Sequence, residues 1–162
     1  MVSKLRAEIP DICLRTTLIT GFPGETQEDH EALMEFIDEL EFDRLGVFPY
    51  SPEENTPAAL FDNQIDEELK RDRQADLMGL QQEIAFEKAE DMIGARLTVM
   101  VEGKVPDENA YVARSYKDAP NVDGYVFIQT SDELMTGDFV RVKITGSYEY
   151  DLIGEIDNEF TK

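Results

Sequence analysis

The sequence is poor in the residues that bind metals and in positive charge. Its 162 residues include one cysteine (Cys13), one histidine (His30) and no tryptophan. A lone thiol excludes an internal disulfide framework. It also cannot by itself supply a structural zinc site or an iron–sulfur cluster, which take several thiolate or imidazole ligands. Lysine and arginine number 15 against 36 aspartates and glutamates, a formal net charge of −21. Phosphate backbones are bound by clustered cations that release counterions, so a field of this sign disfavours nucleic acid unless a local basic patch overrides it. The same charge suits a highly soluble chain or one that meets a basic partner. Long apolar runs are missing as well. A membrane-spanning helix needs about 20 such residues, and the opening MVSKLRAEIPD lacks the apolar centre of a signal peptide. No membrane association is expected, and the cytoplasm is the simplest location.

The 41% hydrophobic content is enough for a real core. ICLRTTLIT (12–20) is rich in β-branched residues and bounded by Pro10 and Gly21, which predicts a strand. Thr26, three residues before Asp29, is close to a capping box, and Leu33, Phe36, Ile37 and Leu40 follow at helical spacing. A helix is expected from about Gln27 to about Glu41, then a second strand at RLGVFPYS (44–51). Strand, helix, strand over this span is a βαβ unit of a parallel sheet. From Asp66 a pattern with Leu77, Leu80 and Ile84 on one face predicts a helix of about 25 residues ending at Gly94.

Beyond Gly94 the period changes from 3.6 to two. RLTVMVE (96–102), AYVAR (110–114), GYVFIQT (124–130), DFVRVKI (138–144) and YDLIGEI (150–156) read as five short strands. They predict a small antiparallel barrel of the oligonucleotide-binding type, from about Ile93 to about Asn158. The fold class is thus α/β followed by all-β, with domains at 1–92 and 93–162. Residues 1–92 carry 8 bases and 23 acids, and residues 93–162 carry 7 and 13. The barrel type suggests nucleic acid and the charge opposes it.

The stretch LITGFPGETQED (18–29) places Gly21 and Gly24 where a parallel strand hands over to a helix. Ligands bind at that edge of α/β sheets, and a backbone without side chains can approach a ring or a charged group there. Two glycines and a proline are also ordinary turn chemistry, so this loop alone decides nothing. His30, expected on the exposed side of the helix, has no Cys or His partner, and the adjacent Glu53 and Glu54 read as loop charge. Cys13, on the first predicted strand, reads as a small buried residue.

RTTLITGFPGET, GVFPYSPEENTPAA and ADLMGLQQEIAFEK resemble the later part of the barrel of the radical S-adenosylmethionine methylthiotransferases. DAPNVDGYVFI and GDFVRVKITGSYEYDLIGE resemble the TRAM domain that closes those proteins. Within the family the resemblance is to the RimO-type branch, which methylthiolates an aspartate of small-subunit ribosomal protein twelve. The tRNA-modifying MiaB type usually has YSPRPGT where this chain has YSPEENT (50–56), with Asn55 in place of the usual glycine.

The resemblance implies a partial TIM-type barrel (βαβα) followed by a five-stranded TRAM barrel. It implies that the strand and loop with Ile19, Gly21 and Gly24 line the adenine side of S-adenosylmethionine. Arg15 and Thr17 on the same strand would meet polar parts of the cofactor, although Arg15 could equally pair with a neighbouring acid. Tyr50 and Ser51 end the next strand at the same rim, with Phe48 expected in the core. The implied partner is a basic small-subunit ribosomal protein. Acids of the TRAM segment (Asp132, Glu133, Asp138, Glu149 and Asp151) are the expected contacts, with Tyr125 and Phe127 either as apolar anchors or as barrel core. The family's cofactors are S-adenosylmethionine and 4Fe-4S clusters held by three N-terminal cysteines and a CxxxCxxC motif. Neither cysteine set occurs here, so the chain is expected to hold no cluster and to be inactive alone. A fragment of a tRNA methylthiotransferase and a non-catalytic acidic adaptor for a basic protein are the alternative readings.

Overall fold

The computed structural model describes residues 1–157; Asn158, the expected end of the barrel, lies outside them. The chain divides into two compact units, the first Met1–Ala85 and the second from Phe86 onward, with the division falling inside one long helix.

In the first unit a short helix, α1 (Val2–Glu8), precedes β1 (Arg15–Thr20), α2 (Gln27–Leu40), β2 (Arg44–Pro49), a 3-10 turn (Pro57–Leu60) and α3 (Glu67–Asp91). β1 and β2 pair in parallel, in the register Thr17 to Gly46 and Ile19 to Phe48. The expected βαβ unit is therefore present. α2 begins as its capping box requires: the Thr26 hydroxyl accepts from the Asp29 amide at 3.1 Å, and an Asp29 carboxylate oxygen accepts from the Thr26 amide at 2.9 Å. Alternation then sorts the strand residues. Leu18, Leu45 and Val47 face Ile37, Leu77 and Ile84 of the two helices. Each such apolar side chain contributes about 1.5–3 kcal/mol when fully buried.

Three expectations for this unit are corrected. His30 is buried, not exposed: it lies on the Ile37 face of α2 against α3, its Nε2 3.4 Å from Asp76 Oδ2. Phe48 is 58% exposed, because the pleat that turns Val47 into the core turns its neighbour out. Cys13 precedes β1 and is only half-buried.

In the second unit β3 (Arg96–Lys104), β4 (Ala110–Arg114), β5 (Val126–Gln129), β6 (Phe139–Tyr148) and β7 (Asp151–Ile156) close into a barrel of order β3-β4-β5-β7-β6. Its interior holds Leu97, Val99, Val101, Tyr111, Ala113, Val126, Ile128, Val142, Ile144 and Leu152. The barrel is mixed and not wholly antiparallel. β7 returns between β6 and β5 and pairs with β5 in parallel, Val126 to Leu152 and Ile128 to Gly154. Alternating apolar residues set which face points inward and carry no information about strand direction, so the sequence pattern did not reveal this pairing. Gly124 is fixed by the crossing: a Cβ there would strike the Tyr150 carbonyl.

Candidate functional site

β1 and β2 are covered on one face only. Arg15, Thr17 and Ile19 alternate onto the other face, with Gly46 and Phe48 beside them in register, and Ile19 is 58% exposed. The two strands end together. The Tyr50 amide donates to the Thr20 carbonyl at 2.8 Å, which extends the ladder past Pro49 to the rim. Ser51 follows, exposed to solvent.

The GFPG loop leaves this rim through two left-handed glycines, Gly21 at φ 72° and Gly24 at φ 88°. Gly21 is buried, and a Cβ on it would collide with the Cγ of Lys70. Its lack of a side chain is thus required by the packing of α3 as well as by φ. Gly24 meets nothing within 4 Å, and its amide donates to the Asn63 carbonyl at 2.8 Å. Glu25 closes the loop. Its carboxylate accepts from the Gly21 amide at 2.8 Å, from the Thr20 hydroxyl at 3.2 Å and from Arg73 Nη1 at 2.7 Å. Phe22 stands edge-on to Tyr50 and Phe61, with ring centroids 5.1 and 6.2 Å apart.

Glu25, Lys70 and Arg73 are absent from the residues expected from sequence. A signal for the two cations existed. Lys70, Arg73, Leu77, Gln81 and Ile84 are all buried at helical spacing, so the apolar stripe of α3 continues toward its N-terminus as cations. In IDEELKRDRQ the surrounding charges hide it.

In the barrel the expected contact residues fall into two groups. Asp132, Glu133 and Asp138 lie in the β5–β6 connection, while Tyr125, Glu149 and Asp151 gather where the β6–β7 turn meets the start of β5. The connection sits by the end of β3, where Gly137 donates to the Val101 carbonyl, and so at the opposite barrel end. Two of the acids serve the fold itself: Asp151 Oδ1 accepts from the Tyr125 amide at 2.7 Å, and Asp138 Oδ2 accepts from the Met135 amide at 2.8 Å. Asp132, Glu133 and Glu149 are exposed. Tyr125 and Phe127 are half-buried outside the barrel core, because the pleat sends Val126 and Ile128 inward. Arg96, Arg141 and Lys143 share one outer face of β3 and β6, but Asp157, its side chain 4% exposed, pairs with Arg96 at 3.0 Å and approaches Arg141 at 3.7 Å.

Among the described residues no group of three His, Cys, Asp or Glu side chains is arranged to hold a metal ion. None of their helices is long and apolar enough to cross a membrane.

The family model of the TRAM domain matches residues 93–156, the barrel strands included. Three similar proteins bear the name ribosomal protein uS12 methylthiotransferase RimO. That of Lachnoclostridium phytofermentans is 58% identical over 95% of this chain and 35% of its own length. That of Desulfitobacterium hafniense is 51% identical over 96% and 35%, and that of Clostridium botulinum strain Hall is 45% identical over 100% and 36%. The chain spans about a third of the length of these relatives. With a TRAM domain in its second unit and this identity over nearly its whole length, the chain belongs to the RimO-type methylthiotransferase family, as the C-terminal portion.

Proposed function

We propose that this chain is the C-terminal part of an enzyme that methylthiolates an aspartate of a basic small-subunit ribosomal protein. In this reading it supplies one wall of an S-adenosylmethionine pocket and a TRAM barrel that recruits the substrate, and it works in the cytoplasm. The observation that carries the reading is the one-sided β1–β2 sheet: helices cover one face, and Arg15, Thr17 and Ile19 line the other. A βαβ slice of a barrel would have this form, with the uncovered face toward the interior.

The residues fit S-adenosylmethionine. Ile19 offers an apolar surface to a flat ring, Thr17 and Arg15 offer polar groups on the same face, and the Gly24 loop lets backbone approach without a side chain. Tyr50 and Ser51 would complete the rim. The bound cofactor would supply the reactive group, while these residues bind and orient it. The residues do not fit a 4Fe-4S cluster: Cys13 is a single thiol, so the clusters belong to cysteines outside this chain.

For the barrel, the exposed Asp132, Glu133 and Glu149 are the better contacts for a basic protein, with Tyr125 and Phe127 as half-buried anchors. Asp138 and Asp151 act through the turns they hold. The outer cations of β3 and β6 are partly neutralised by Asp157, which supports protein over nucleic acid as the partner. The test compares the affinity of the 162-residue chain for the ribosomal protein and for a tRNA stem-loop at one moderate ionic strength. Tighter binding of the ribosomal protein, weakening as salt rises, is expected. Tighter binding of the tRNA would overturn the ribosomal protein as the partner of the barrel.

A further inference from the structure

Two of the most buried polar side chains of the first unit have no part in the reading above: Lys70 is 1% exposed and Arg73 4%. Such residues are almost never so buried unless paired, and a well-packed apolar side chain is often as stabilising as a buried ion pair. Their presence on the core stripe of α3 therefore calls for a directional task. Nearly one helical turn apart, they reach the two strand ends separately. Lys70 Nζ donates to the Tyr50 carbonyl at 3.0 Å and to Glu67 Oε1 at 2.6 Å. Arg73 Nη1 donates to the Glu25 carboxylate at 2.7 Å and to its carbonyl at 3.3 Å, and that carboxylate holds the Gly21 amide. The stem of Lys70 also fills the space a side chain on Gly21 would need.

We propose that Lys70 and Arg73 are positioning residues that fix the end of β1 against the end of β2 and so shape the cofactor wall; the inference rests on the reading of that rim as the wall. A hydrogen bond aimed at a backbone carbonyl sets position in a way that apolar packing does not, and sites need their groups held to within about 0.5 Å by such supporting contacts. Lys70 has the more local effect, since it touches Tyr50 and Gly21 together.

Two measurements test this with Lys70→Met. In the 162-residue chain without cofactor, amide hydrogen exchange at Gly21 and Tyr50 should quicken by at least about tenfold while Ile37 and Val47 keep their rates. Equal acceleration at all four amides, or none, overturns the proposal, because a merely structural role acts on the whole unit. In a complete methylthiotransferase that ends in this segment, equilibrium dialysis should show S-adenosylmethionine binding weakened by about tenfold, with Lys70→Arg recovering part of the loss. An Ile19→Ser variant separates the two ideas. If Ile19→Ser weakens binding and Lys70→Met does not, positioning is wrong and the wall stands. If neither variant changes affinity, the wall reading falls and takes the positioning role with it. Should Lys70→Met fail to fold, Arg73→Lys, which keeps the charge and loses the planar fork, carries the same test.

Discussion

Lys70 and Gly21 occupy one shared space: the stem of the lysine lies where a side chain on the glycine would begin. Gly24, three residues on, has the same left-handed backbone and open space around it. The pair separates two costs. Gly24→Ala should cost only the strain of the left-handed conformation, about 1–2 kcal/mol. Gly21→Ala should add about 1–3 kcal/mol of overpacking. Urea unfolding of the two variants checks the order, and an equal loss at both sites would show that Lys70 yields freely.

The Glu25–Arg73 pair is the buried ion pair of this loop, its side chains 11% and 5% exposed. Glu25→Ala leaves a guanidinium in the interior without its carboxylate and should destabilise the first unit by about 3–5 kcal/mol. The exposed Lys4–Glu8 pair, 3.8 Å apart, is the control. Glu8→Gln should shift the urea midpoint by the equivalent of no more than about 0.5 kcal/mol.

Acid should loosen the start of α2. The Thr26 amide and then the Thr26 hydroxyl bond the Asp29 carboxylate and hold it below its ordinary value of 3.8. A depressed folded value means that the contribution is complete above the unfolded carboxylate range and is lost as pH falls through the folded value. Protection of the Asp29 amide, bonded to the Thr26 hydroxyl, should therefore persist through neutral pH and decline below 3.8. Asp29→Asn should flatten that decline, as followed by amide exchange across an acid titration.

Among the barrel acids, Asp151 and Glu133 should behave oppositely. Asp151→Ala removes the acceptor of the Tyr125 amide where β5 and β7 begin, and should lower barrel stability by about 1–3 kcal/mol. Glu133→Gln, in an exposed connection, should leave stability within about 0.5 kcal/mol. If Glu133 contacts a basic protein, its loss appears only in binding, as a slower association that high salt abolishes. Thermal unfolding and association kinetics of the two variants separate the roles.

How much of this architecture was visible in the sequence depended on range. The Thr26–Asp29 cap, the helix that follows it and the pair of strands around it follow from patterns within a few residues and are present, although β1 starts at Arg15 and α3 stops at Asp91, three residues short of the expected ends. The parallel contact of β5 with β7 does not, because it joins segments more than 20 residues apart and periodicity carries no direction. His30 and Phe48 went astray for a related reason. Whether a helix position near a terminus is covered depends on where α3 packs, and a six-residue strand between apolar neighbours offers two faces of similar hydropathy. At the rim, Gly21 and Gly24 stood out as punctuation, while Lys70 and Arg73 did not. Charged residues at the acidic start of a helix look solvated until the loop that receives them is known.

The sheet of β1 and β2 has two strands and therefore two open edges among the described residues. Bare edges are templates for adding strands from other molecules, and proteins commonly blunt them with charge. The acids that outnumber bases by 23 to 8 in residues 1–92 would do so by mutual repulsion between copies. That protection has a chemical limit, because the charge of the whole chain, from its composition, falls to zero near pH 4.2. As the solution is acidified toward that value, the chain loses its colloidal defence in the same range where the carboxylates begin to take up protons.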